Sequence, residues 1–87
     1  MYALAIRPEV DKILKKIVKK NRRQYEIIMN KVEEILNDPQ HYKNLRAPLN
    51  HWKRVHIDSS FVLVFSVEEK SKTVVLEDYD HHDNIYR

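Results

Sequence analysis

The sequence predicts an α+β fold of order β-α-α-β-β-β: a mainly antiparallel twisted sheet with a helical hairpin on one face. Three observations predict it. Apolar residues recur at helical spacing from Val10 to Leu36. The period changes to two from Trp52 onward. The stretches without a period are short and hold Pro39, Pro48 or small polar runs such as Asp58-Ser59-Ser60.

Each element follows in order. Tyr2-Ala-Leu-Ala-Ile6 is short and apolar and reads as a strand stopped by Arg7-Pro8. Pro8 belongs in the first turn of the next helix, where a missing N–H costs nothing. Val10, Ile13, Leu14, Ile17 and Val18 form one face of that helix, and lysines crowd its last turn, where the helix dipole favours positive charge. Asn21 is a break and cap. Tyr25, Ile28, Met29, Val32, Ile35 and Leu36 mark a second helix that ends at Asn37-Asp38-Pro39. Two helices so closely joined pack as an antiparallel hairpin.

Residues 40–51 read as a loop. From Trp52, alternation sends Trp52, Arg54 and His56 one way and Lys53, Val55 and Ile57 the other. After the Asp58-Ser59-Ser60 turn, Phe61–Val67 is a strongly apolar strand, expected to be central and covered on both faces. A hairpin connection, Glu68 to Lys72, leads to the strand Thr73–Tyr79 and then a polar tail, DHHDNIYR. The sheet face away from the helices is expected to be open and concave, and to be the working surface.

Composition narrows the function classes. The 87 residues suit one domain, 1–87, with one modest core. Cysteine is absent, which excludes disulfides, thiol nucleophiles and cysteine-bound zinc and fits a reducing cytosol. Glycine is absent as well, so no glycine-rich nucleotide loop exists. No apolar run approaches the roughly 20 residues that span a bilayer, and the start lacks a signal-peptide organisation, so a soluble, cytoplasmic protein with no membrane partner is expected. The net charge of +3 is unevenly placed: residues 1–57 hold 13 Lys/Arg against 6 Asp/Glu, and residues 58–87 hold 3 against 7. A basic front half suits a polyanion or an acidic protein, or is the wet side of two amphipathic helices.

The element order, the leucine-bearing loop Asn44-Leu45-Arg46, the run from Trp52 to Val67 and the ending His81-His82-Asp83-Asn84-Ile85-Tyr86-Arg87 together resemble the RelE/ParE toxin superfamily. The resemblance covers nearly the whole chain. Its motifs are short, so order and spacing carry it. It implies a single RelE-like toxin domain of a type II toxin–antitoxin system, held inactive by a cognate antitoxin. RelE-like members cut messenger RNA on the ribosome and so inhibit translation. ParE-like members poison DNA gyrase and need no nuclease residues. A non-catalytic or inactive member acting only by binding is the remaining alternative.

RNA cleavage needs a group to take the proton of the attacking 2′-OH, a group to protonate the leaving 5′ oxygen, and cations for the crowded anionic transition state. Histidine suits the first two roles and arginine the third. Matched residue by residue, the resemblance implies Arg54, His81, His82 and Tyr86 as catalytic and Trp52, Lys53 and His56 as RNA-binding. It implies no metal and no small-molecule cofactor.

Val62 stands where RNA-cutting members usually carry arginine, His56 replaces a usual Arg or Lys, and His82 replaces a usual arginine. Plainer readings stand beside these. Arg54 pairs with Asp78 or Asp80, Trp52 packs at the sheet rim, Tyr86 anchors the tail, and the histidines are surface residues or antitoxin contacts. Asp78, Asp80 and His82 would share a strand face as metal ligands, but their spacing matches no strong metal motif.

Overall fold

A computed structural model describes residues 1–85. The order is β1 (Ala3–Ile6), α1 (Pro8–Lys20), α2 (Arg22–Asn37), a 3-10 turn (Pro39–His41), β2 (Lys53–Ile57), β3 (Phe61–Glu68), β4 (Thr73–His81) and α3 (His82–Ile85). The four strands form one sheet in the order β1-β4-β3-β2. β1 runs parallel to β4, whereas β2–β3 and β3–β4 are antiparallel. This is the α+β, mainly antiparallel architecture with a helical hairpin that the pattern predicts.

Pro8 occupies the first turn of α1, with Glu9 and Asp11 beside it and Lys19 and Lys20 at the other end, so charge complements the dipole at both termini. Asn21 alone joins the helices, and its Oδ1 accepts a hydrogen bond from the Gln24 amide at 3.1 Å, capping α2. The hairpin lies on one sheet face. Val10, Leu14, Ile28, Val32 and Ile35 pack there against Ile57, Leu63, Phe65, Val74, Leu76 and Tyr79. Burying each such side chain contributes about 1.5–3 kcal/mol, so this layer is the main cohesive term.

Without glycine, positive-φ turns fall to other residues. Asp58 (φ 56°) takes the β2–β3 turn and Lys72 (φ 50°) the β3–β4 turn. A bulge in β4 opposite Val64 and Phe65 leaves Glu77 as an extra residue. Its carboxylate, only 6% exposed, accepts from Arg7 Nε at 2.9 Å and Ser66 Oγ at 2.6 Å, tying β3 and β4 to the residue between β1 and α1.

Two expectations are corrected. The last strand does not stop at Tyr79: β4 runs on through His81, and His82 begins a helical turn within the polar tail, its first amide donating to the Ser60 carbonyl at 2.7 Å. The second sheet face is not open throughout. Val62 and Val64, fully buried, meet Leu45, Trp52 and Ile85 in a separate small cluster. Both faces of β3 are thus covered, one by the helices and the other by the 44–52 loop and α3. The reason is apolarity: β3 alternates no polar residue between Phe61 and Phe65, so each face needs a lid.

Candidate functional site

The loop that covers Val62 and Val64 is held by backbone bonds rather than by regular structure. The Leu45 amide donates to Trp52 O at 2.8 Å, Arg54 N to Lys43 O at 3.0 Å, and Leu49 N to Arg46 O at 3.1 Å. Ala47-Pro48 is cis. Buried Leu45 anchors this loop on the sheet, and Ile85 anchors α3 beside it. Between them opens a cavity of about 650 Å³, lined by Arg46, Arg54, Asn44, Asn84, Leu49 and Ile85 among others. No carboxylate lines it among the described residues.

Sheet register places the candidate residues in rows. Arg54 pairs with Val64 and Val64 with Asp78; His56 pairs with Val62 and Val62 with Asp80. The cationic and imidazole groups therefore lie on the β2 flank of a buried apolar strip and the aspartates on its β4 flank. Each aspartate folds onto its own strand: Asp78 Oδ1 accepts from Tyr79 N at 2.8 Å and Asp80 Oδ1 from His81 N at 2.7 Å. Asn84 Nδ2 also donates to Asp80, at 3.0 Å. Both aspartates line a different cavity, beside Ile13, Lys16 and Ile17 of α1.

The adjacent histidines separate. The His82 ring lies 6.0 Å from that of His56, inclined by 30°. The His81 ring instead meets the edge of Phe61 at 5.7 Å, and its Nδ1 accepts from the Asp83 amide at 3.2 Å. Phe61 in turn stacks on Tyr79 at 5.4 Å, on the helical side of the sheet. So His82 joins His56 and His81 does not, although both rings lie beside the Asp83 carboxylate, His82 Nδ1 at 3.2 Å and His81 Nδ1 at 3.7 Å.

Trp52 packs on the small cluster under the loop, with the His51 ring edge-on at 5.4 Å. Lys53 projects away: its Nζ donates to Tyr42 O at 3.1 Å and Asn44 Oδ1 at 2.9 Å, bracing the loop. Tyr86 lies outside the described residues. Among the described residues, no group of three or more His, Asp or Glu side chains is placed to hold a metal ion, and no helix is long and apolar enough to cross a membrane. Arg46 and Asn84 are the residues that pattern reading left without a role. The signal lay in Leu45, an apolar residue in an aperiodic loop, which had to be an anchor.

Comparison with known proteins agrees with this architecture. The family model for the ParE toxin of the type II toxin–antitoxin system parDE matches residues 4–86. A protein of Methanosarcina mazei is 62% identical over 86 residues, covering 99% of this chain and all of that protein. A Methanocaldococcus jannaschii protein provisionally named toxin RelE4 is 58% identical over 87 residues, covering all of this chain and 93% of that one. The Escherichia coli RelBE toxin–antitoxin complex contains a chain with the same fold, at a TM-score of 0.78 and 20% identity, covering 91% of this chain and 94% of that one. The chain belongs to the RelE/ParE superfamily and is a toxin of the type II toxin–antitoxin class.

Proposed function

We propose that this toxin is a ribosome-dependent messenger-RNA endonuclease of the cytoplasm, restrained by a cognate antitoxin. The observation that carries the reading is the placement of His56, His82 and Arg54 on one sheet face, beside a cavity with two arginines and no lining carboxylate among the described residues. Two imidazoles so close can act on one phosphodiester. One takes the proton of the 2′-OH as that oxygen attacks phosphorus. The other protonates the departing 5′ oxygen, leaving a 2′,3′-cyclic phosphate and a free 5′-OH. Arg54 offsets the charge that builds on the phosphoryl oxygens. Trp52, partly buried against the small cluster at the site's rim, offers its remaining face to a base. Lys53 supports the loop, and Tyr86 assists at the phosphate.

The alternative is a toxin that acts by binding alone, on gyrase or on its antitoxin. Val62 favours it: the position at which RNA-cutting relatives usually carry arginine is a wholly buried valine here. Primer extension on a message engaged with ribosomes from the source organism separates the two. Cuts that depend on the added protein support the nuclease. Intact message, together with tight antitoxin binding, makes it a binding toxin.

A further inference from the structure

We infer that Arg46, on the loop between α2 and β2, is a second phosphate-holding residue of this site, supplying from a loop a cation that β3 does not supply at Val62. This rests on the RNA reading above and names the part of the substrate the cavity takes: the phosphate and base of a nucleotide flanking the cut. Arg46 and Arg54 line the same cavity, from the loop and from β2 respectively. Arg46 is exposed, and its guanidinium makes no hydrogen bond or ion pair among the described residues. Arg7 and Arg23, by contrast, are engaged by Glu77 and Asp58.

The arginine is nonetheless fixed at its root. Its carbonyl closes the turn to Leu49, and its neighbour Leu45 is 8% exposed against Val62 and Val64. A cation whose backbone is already set loses little freedom on binding, and its planar fork suits a phosphate. The remaining lining is what a nucleotide needs. Asn44 Oδ1 is taken by Lys53 and Asn84 Nδ2 by Asp80, which leaves Asn44 Nδ2 and Asn84 Oδ1 for a base edge, and Leu49, 40% exposed, offers an apolar surface for its plane. A volume of about 650 Å³ exceeds what a lone phosphate fills and lies inside the roughly 300–1,000 Å³ range of small-molecule sites.

The test is fluorescence anisotropy of the full chain with a labelled 2′-O-methyl RNA octamer, which cannot be cleaved, over a series of salt concentrations. For a single strand, each phosphate contact adds about 0.7 to the slope of log affinity against log salt. Arg46→Ala is expected to flatten the slope by about 0.7 and weaken binding severalfold at low salt. Arg46→Lys should keep the slope, and Arg22→Ala, exposed at the start of α2, should change neither. An unchanged slope for Arg46→Ala, an equal change for Arg22→Ala, or no octamer binding by the unaltered protein at the lowest salt overturns the assignment. The two readings fail separately: an Arg46-dependent slope without cuts on ribosomes removes the nuclease and leaves this site. Cuts with an Arg46-independent slope do the reverse.

Discussion

His56 and His82 bring their rings to 6.0 Å of each other, although one lies on β2, opposite buried Val62, and the other opens the tail helix. The bond from His82 N to Ser60 O holds this approach, because it starts α3 directly over the β2–β3 turn. His81, one residue earlier, is committed to Phe61 instead.

The two neighbouring histidines should therefore differ in mutants. In the ribosome primer-extension assay, His82→Ala and His56→Ala are each expected to slow cutting by about 100-fold or more, the scale of one proton-transfer group. His81→Ala should stay within a few-fold. An equal loss at His81 would show that its ring turns toward the substrate.

Restoring the arginine usual among RNA-cutting relatives at Val62 should damage this protein rather than repair it. Val62 is fully buried beneath the loop and tail, so Val62→Arg overfills that layer and buries a charge beside Asp80, opposite it on β4, whose carboxylate already accepts from His81 N and Asn84 Nδ2. A loss of about 3 kcal/mol is expected, lowering Tm by roughly 12 °C or more in a domain of this size. Thermal unfolding by circular dichroism checks it, and an unchanged Tm would mean that α3 lifts away at no cost.

Glu69 ties the β3–β4 connection to the residue before β1 and to the 3-10 turn. It accepts from Tyr2 Oη at 2.8 Å, from Lys72 Nζ at 3.0 Å and from Gln40 Nε2. Gln40 first, then Tyr2 and Lys72, lower its pKa to about 2. The folded form thus holds its proton less tightly than the unfolded chain. The stabilisation is complete above the ordinary carboxyl value near 4.5 and is lost as pH falls towards 2. Glu69→Gln should have the lower Tm at pH 7, and the difference should shrink steadily on acidification. A gap that does not vary with pH would assign these bonds no role in acid stability.

Tyr79 gives the opposite dependence. Burial raises its pKa to about 12 against the partial relief of the bond from Gln24 Nε2 at 2.8 Å. The unfolded chain ionises near 10, so this contribution is whole below 10 and declines as pH rises to about 12. Tyr79→Phe leaves Gln24 without that acceptor and should cost about 1 kcal/mol at neutral pH. It should also flatten, but not abolish, the alkaline loss of stability, because Tyr2 and Tyr42 are shifted upward too. Denaturant unfolding at several pH values between 8 and 12 reads both effects.

The alternation along β2 already divided Arg54 and His56 from Lys53, and the structure keeps that division. It also keeps the helix pattern, with Val10, Leu14, Ile28, Val32 and Ile35 all buried. The histidine pair was not separable in advance. Adjacent residues on a strand diverge, but which one meets His56 depends on where β4 ends and α3 begins. That end is set by a contact with Ser60, some twenty residues away in sequence. Arg46 was equally hidden, since an aperiodic loop gives no face to its side chains.

Local chemistry is thus what the sequence determined by itself: helices from spacing, strands from alternation, turns from Asn21, Asp58 and Pro39, and exclusion of thiol and glycine-loop chemistry from composition. Tertiary structure alone decided which residues share a site. Leu45 and Ile85 each had to find the exposed apolar side of β3, and covering Val62 and Val64 drew the loop and the tail together. The cavity between them, with Arg46 and Arg54, follows from that burial, because hydrophobic contact acts through space and leaves no period in the chain.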